Sequence, residues 1–216
     1  PDEYLENPVM WLKHLDHKEA RGENGTISLK TAKTILQSIL EENVTIEVSP
    51  DEVVFIERGT ALQFDQLSDG YKSVLVWVCD LIKRLSDNQP GVQQTADFHG
   101  IALVDEIGVY LHPKWQFKIV RQLRKWFPQI QFIFTTHSPI VVMGASEDAV
   151  FYKVYKENGE TKVSEPIHDI SNLMANGVLT SPLFDLPSAR TAAFNETKQE
   201  IDLSLIHISE PTRRDQ

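Results

Sequence analysis

The stretch Ile101-Ala102-Leu103-Val104-Asp105-Glu106 decides how this chain is read. Four apolar residues run directly into two adjacent carboxylates. A short apolar run of this kind predicts a strand buried on both faces, as in a parallel sheet. Open α/β sheets bind ligands beyond the carboxyl ends of their strands, which is where Asp105 and Glu106 fall. In isolation the pair reads equally well as a strand end entering a charged loop.

The neighbouring segments favour the first reading. Pro113 opens a predicted helix to about residue 127, and Pro128 stops it. Residues 131–135 then form a second buried-looking strand within Phe132-Ile133-Phe134-Thr135-Thr136-His137-Ser138-Pro139. Strand, helix, strand order predicts a βαβ unit with a parallel sheet. Parallel neighbours would deliver His137 to the same edge as Asp105 and Glu106, in one crevice. A neutral imidazole there can donate to a phosphate oxygen, and Thr135 and Thr136 can hydrogen-bond around the same pocket. A lone histidine at a strand end is more often structural; this one has company.

Upstream, Leu67-Ser68-Asp69-Gly70 precedes a predicted helix over 69–85. Orphan N–H groups and the helix dipole make such a start an anion site. The plainer reading has Ser68 as an N-cap with Gly70 in the first turn. Further towards the amino terminus, 8–20 and 28–41 have apolar residues at helical spacing, and 44–48 and 53–57 alternate like paired strands. Residues 61–64 suggest a short third strand, and 87–98, with Pro90-Gly91, a loop. Beyond a short helix after Pro139, residues 150–155 and 161–164 predict a hairpin around Glu157-Asn158-Gly159, followed by short helices and loops over 170–195.

The chain has 216 residues, 41% hydrophobic and 24% charged, the composition of an ordinary globular domain. Its net charge of −10 argues against a large non-specific nucleic-acid surface. No apolar run reaches the roughly 18 residues of a membrane span, and no signal peptide is visible. Lone Cys79 sits in an apolar run as a core thiol, and no disulfide can form within the chain, which fits a reducing cytoplasm. His14 and His17 flank Asp16 on the first helix, but no third ligand at metal-site spacing follows, so they read as surface residues.

L-S-D-G, then four apolar residues with D-E, then T-T-H-S-P, in that order, resemble the carboxyl-terminal half of an ABC-type ATPase head. The nearest group is the RecF/SMC/OLD-like "AAA family" ATPases. Tyr110-Leu111-His112-Pro113-Lys114-Trp115-Gln116 is similar to a segment typical of that group and unlike transporter subunits. The resemblance is close over about 60–145. It implies an α/β fold, a mostly parallel sheet flanked by helices in the P-loop NTPase manner, with ATP and Mg²⁺ as cofactors. Asp105 would order Mg²⁺ through water, Glu106 would position the attacking water, and His137 would sense the γ-phosphate. Leu67, Ser68, Asp69 and Gly70 would touch the γ-phosphate of a nucleotide held by a second copy in a head-to-tail homodimer. His112 would be structural or interfacial, and Lys72 a solvated or interface residue. The implied setting is cytoplasmic, in DNA repair or anti-phage defence; the resemblance allows a nuclease or other effector, or DNA, as partner, and implies no membrane.

The phosphate-gripping loop, G-x-x-x-x-G-K-[ST], is the main departure, because no glycine here precedes a lysine. With Pro1 in place of a Met, the expectation is an ATPase head whose loop lies upstream. Residues 1–60 would be the helical and β insertion before the signature, and 61–202 the core's carboxyl-terminal portion, inactive alone. The alternative is a non-hydrolysing, ATPase-like module that recruits a nuclease. Residues 203–216 are expected to be an adaptor read-through tail, since 203–213 resemble a translated sequencing-library adaptor; His207 would then carry no function.

Overall fold

The computed structural model describes residues 5–23, 27–40, 44–145, 147–168, 170, 173–188 and 190. The expected tail at 203–216, and most of 189–195, lie outside them. Two compact units divide at Ala149 and Val150.

The first unit opens with α1 (Pro8–Ala20) and α2 (Leu29–Ile39). Asn7 caps α1 by accepting from the amides of Val9 and Met10 at 3.0 and 3.2 Å, and Pro8 occupies the first turn, where a missing N–H costs nothing. Ser28 caps α2 by accepting from the Thr31 amide at 3.0 Å. The stripe Ala32, Ile35, Leu36 and Ile39 is buried as its spacing requires. Truncating Leu36, which is fully buried, to alanine would cost about 2–5 kcal/mol.

Strands β1 (Val44–Val48), β2 (Val53–Glu57) and β3 (Thr60–Leu62) form an antiparallel meander, with Ile46 opposite Phe55 in its buried layer. The long helix α3 (Asp69–Asn88) follows. It runs past the expected end at 85, with Ser86 buried and Asn88 Nδ2 donating to Arg84 O at 2.8 Å. Cys79 lies in that face as a core thiol, and burial pushes its pKa well up, with the Glu6 and Asp80 carboxylates acting in the same direction.

Then come β4 (His99–Val104), α4 (Pro113–Trp126), β5 (Gln129–Phe134) and the short helix α5 (Pro139–Gly144). β4 and β5 pair in parallel, with Val104 opposite Phe134, so the expected βαβ unit and α/β class are present. The other two sheets are antiparallel. Buried Ile119 and Leu123 turn α4 inward, and Trp126 Nε1 donates to Ser38 Oγ of α2 at 2.7 Å.

One expectation is corrected. β4 is not buried on both faces: Ile101 is 67% exposed and Leu103 76%. The strand alternates instead. Ala102 and Val104 are half-buried on the face of Phe132 and Phe134, whose rings stack at 5.3 Å. The other face carries Ile101, Leu103 and Ile133, and among the described residues nothing covers it. The uninterrupted apolar run reflects both faces being apolar, whereas burial depends on what lies against each.

The second unit contains a hairpin of β6 (Val154–Glu157) and β7 (Glu160–Val163). Asn158 and Gly159, at φ 52° and 84°, supply the left-handed pair that a two-residue turn needs. The hairpin starts later than its sequence predicts, with Phe151 and Ile167 forming only an isolated bridge below it. A short helix, α6 (Ala175–Leu179), follows.

Candidate functional site

Asp105 and Glu106 leave β4 as the chain turns, and Thr135 leaves β5 beside them. The ladder continues one step past the strands: the Thr135 amide donates to Val104 O at 3.1 Å, and the Ile107 amide to Thr135 O at 2.9 Å. This register sets Thr135 against both acids. Its hydroxyl donates to Asp105 Oδ1 and accepts the Glu106 amide at 2.7 Å. Glu106 has φ 52°, a left-handed conformation costly for a residue with a Cβ. Its Oε1 lies 3.0 Å from His137 Nε2. The structure thus brings Asp105, Glu106 and His137 together at the carboxyl ends of two parallel strands. His137 is 92% exposed and Glu106 42%, so the pair faces solvent and contributes little to stability.

The loop from Glu106 to His112 is held by its own hydrogen bonds and by the side chains of Thr135, Thr136 and Gln116. The Val109 amide donates to Glu106 O, and that of Leu111 to Gly108 O. Gly108 needs its φ of 102°, and a Cβ there would lie 2.7 Å from Val141 Cγ2. Gln116 Nε2 donates to Gly108 O at 2.9 Å and Leu111 O at 3.1 Å, while its Oε1 accepts from Ser138 Oγ at 2.7 Å. Gln116 therefore ties this loop to the turn that carries His137, a role its sequence did not suggest. The available signal was its place in the first turn of α4, where a side chain reaches back over the preceding loop. Thr136 serves the same turn, donating to Ile107 O at 2.9 Å and accepting the Ser138 amide at 3.1 Å. His112 caps α4, its Nδ1 accepting the Lys114 amide at 3.3 Å.

The segment Leu67, Ser68, Asp69 and Gly70 is placed differently. Ser68 caps α3, accepting the Tyr71 amide at 3.5 Å, which is the plainer of its two readings. Leu67 is buried; Asp69 is exposed and lies 3.8 Å from Lys72. A Cβ on Gly70 would meet Tyr110 O at 2.8 Å and Trp115 Cζ3 at 3.2 Å, so this turn packs directly on the loop before α4. Tyr71 meets Trp115 edge-on at 4.5 Å. Among the described residues the side chains of Leu67, Ser68 and Asp69 make no hydrogen bond or ion pair with Asp105, Glu106 or His137.

A Mg²⁺ ion keeps several waters and takes one or two carboxylates together with phosphate oxygens. Asp105, exposed and with one oxygen held by Thr135, fits that pattern. Among the described residues no group of three or more His, Cys, Asp or Glu forms an all-protein cage, and His14 and His17 join none. Nor is any described helix long and apolar enough to cross a membrane.

An α/β chain with this motif order, and with two acids and a histidine at the ends of parallel strands, is of the AAA/ABC-like ATPase group. Residues 19–143 match the family described as "AAA domain, putative AbiEii toxin, Type IV TA system", and the chain belongs to that family. It is 30% identical to "Septu protein PtuA" of Bacillus mycoides (strain KBAB4), covering 71% of this chain and 21% of that protein. It is 35% identical to "Retron Vc95 probable ATPase" of Vibrio cholerae serotype O1 biovar El Tor, over 56% of this chain and 23% of the relative. For "Retron Ec83 probable ATPase" of Escherichia coli the figures are 37%, 53% and 21%. The chain thus spans less than a quarter of the length of each of these three relatives. A solved SMC head bound to the C-winged helix domain of ScpA aligns at 13% identity, with a TM-score of 0.48, over 78% of this chain and 52% of that one.

Proposed function

We propose that this chain carries the Mg²⁺-ordering and water-activating half of an ATPase site, and that the protein containing it binds and hydrolyses ATP. The observation carrying this reading is the contact of Glu106 Oε1 with His137 Nε2 at 3.0 Å, beside Asp105 on adjoining parallel strands. Asp105 is the residue that would hold Mg²⁺ through water, with its carboxylate oriented by Thr135. Bound Mg²⁺ would supply charge neutralisation on the phosphate oxygens. Glu106 accepts the proton of the attacking water as general base. His137 is the sensor in this reading: with nucleotide bound, its Nε2–H would turn from Glu106 to donate to the terminal phosphate.

Leu67, Ser68, Asp69 and Gly70 are assigned to a nucleotide held by a second copy; among the described residues none of them hydrogen-bonds to these acids. Head-to-tail pairing of two copies follows from that assignment. The names of the relatives support an ATPase of a Septu- or retron-like system. The alternative is an ATPase-like module that recruits a nuclease without hydrolysis.

The test is ATP turnover by the intact gene product and its Glu106→Gln variant. Loss of a general base costs about 10²–10⁴-fold, so turnover in the variant should fall by at least a hundredfold with nucleotide still bound. Equal rates in the two proteins would remove the base assignment. Absence of turnover in the wild type would favour the recruiting module.

A further inference from the structure

We infer that Thr135 is a positioning residue that sets the geometry of both acids at once; this rests on the ATPase reading above. A hydroxyl offers one proton and accepts through its lone pairs. Here the proton goes to Asp105 Oδ1, and a lone pair takes the Glu106 amide at 2.7 Å. One atom therefore fixes the carboxylate assigned to the metal and the backbone of the residue assigned to the water.

Two further features tie the role to this position. Thr135 is itself held through its main chain, its amide to Val104 O at 3.1 Å and its carbonyl to the Ile107 amide at 2.9 Å. A β-branched side chain has few χ1 choices, so the hydroxyl is aimed before any ligand arrives. The second feature is the left-handed backbone of Glu106, at φ 52°. That conformation is unfavourable and persists only when its surroundings impose it. The bond from the Glu106 amide to Thr135 does so on one side, and the Ile107–Thr135 bond does so on the other. The adjacent Thr136 cannot substitute, because its hydroxyl is committed to Ile107 O and the Ser138 amide.

The experiment compares Thr135→Val and Thr135→Ser in the intact gene product, measuring kcat and KM for ATP and hydrogen exchange at the Glu106 amide. Valine keeps the branched shape and removes both bonds; serine keeps the hydroxyl. A hydrogen bond to a charged group is worth about tenfold or more in rate when lost. Thr135→Val should therefore lower kcat by about tenfold or more and leave KM within about twofold. It should also speed Glu106 amide exchange, and Thr135→Ser should restore kcat to within about threefold of wild type. Thr135→Ala removes the same hydroxyl without placing a methyl in a polar gap, and must show the same kcat loss should the valine variant fold poorly. Wild-type kcat in Thr135→Val or Thr135→Ala, or a serine variant as impaired as they are, would overturn the inference while leaving the ATPase reading intact. A wild-type protein without turnover would overturn that reading and this role with it.

Discussion

Glu106 has a cost that its neighbours Asp105 and Ile107 do not share. At φ 52° its Cβ is crowded by its own backbone, a conformation about 1–2 kcal/mol less favourable than the right-handed alternatives for an L-residue. Glycine has no such penalty. The Glu106→Gly chain should therefore be more stable than wild type by about 0.5–1 kcal/mol, once the greater freedom of glycine in the unfolded state is set against the relieved crowding. The contact with His137 is too exposed for its loss to reverse the sign. Urea unfolding of the 216-residue chain checks this: a midpoint at or below the wild-type value would show that the left-handed turn is not strained. A stabilised variant without a carboxylate would also mark Glu106 as a residue kept for chemistry at the expense of the fold. Sequence shows the acid and its position after a strand, and gives no sign of the backbone angle, because glutamate is not a residue that prefers left-handed turns.

At the level of elements, α4 and α5 pack so closely that one atom decides the contact. An ideal Cβ on Gly144 would lie 2.1 Å from Phe117 O, a backbone atom that cannot swing aside. Gly144→Ala should push α5 off α4 and lower stability by about 1–3 kcal/mol, with the turn that carries His137 displaced along with it. Thermal unfolding followed by circular dichroism measures the first effect; an unchanged midpoint would mean that α5 can slide without loss. Most elements here were legible from periodicity and caps. Asn7-Pro8, Ser28, Ser68 and Ser138-Pro139 each mark a helix start that the structure reproduces. The parallel pairing of β4 with β5 was also legible, because a helix of suitable length separates two apolar runs. The clasp made by Gln116 was not, since a glutamine in a first helical turn has no pattern that distinguishes a solvated side chain from one spanning two loops. The start of β6 differs from its sequence expectation for a related reason: Val150 to Tyr155 has strand composition, but pairing begins only where the Asn158-Gly159 turn sets a register.

The largest difference between sequence and structure concerns the first unit as a whole. The face of β4 and β5 that bears Ile101, Leu103 and Ile133 leads directly to Asp105 and Thr135, yet its apolar side chains are 67%, 76% and 50% exposed. Scattered exposed apolar residues are common and carry no meaning; three on adjoining strands form one patch. Leu103 and Ile133 are direct partners in the ladder, so they present a continuous surface. Such a patch should drive self-association of the isolated chain, opposed by repulsion from its net charge of −10. As pH falls towards the isoelectric point near 5.1, that repulsion fades while the apolar attraction does not. Sedimentation of the 216-residue chain should therefore show weight-average mass rising between pH 8 and about 5.5. The double substitution of Leu103→Ser with Ile133→Ser should suppress that rise and reduce binding of an apolar dye, with the unfolding free energy changed by less than about 1 kcal/mol because little burial is lost. A mass independent of pH, or a double variant that associates like wild type, would show that the attraction lies elsewhere on the chain.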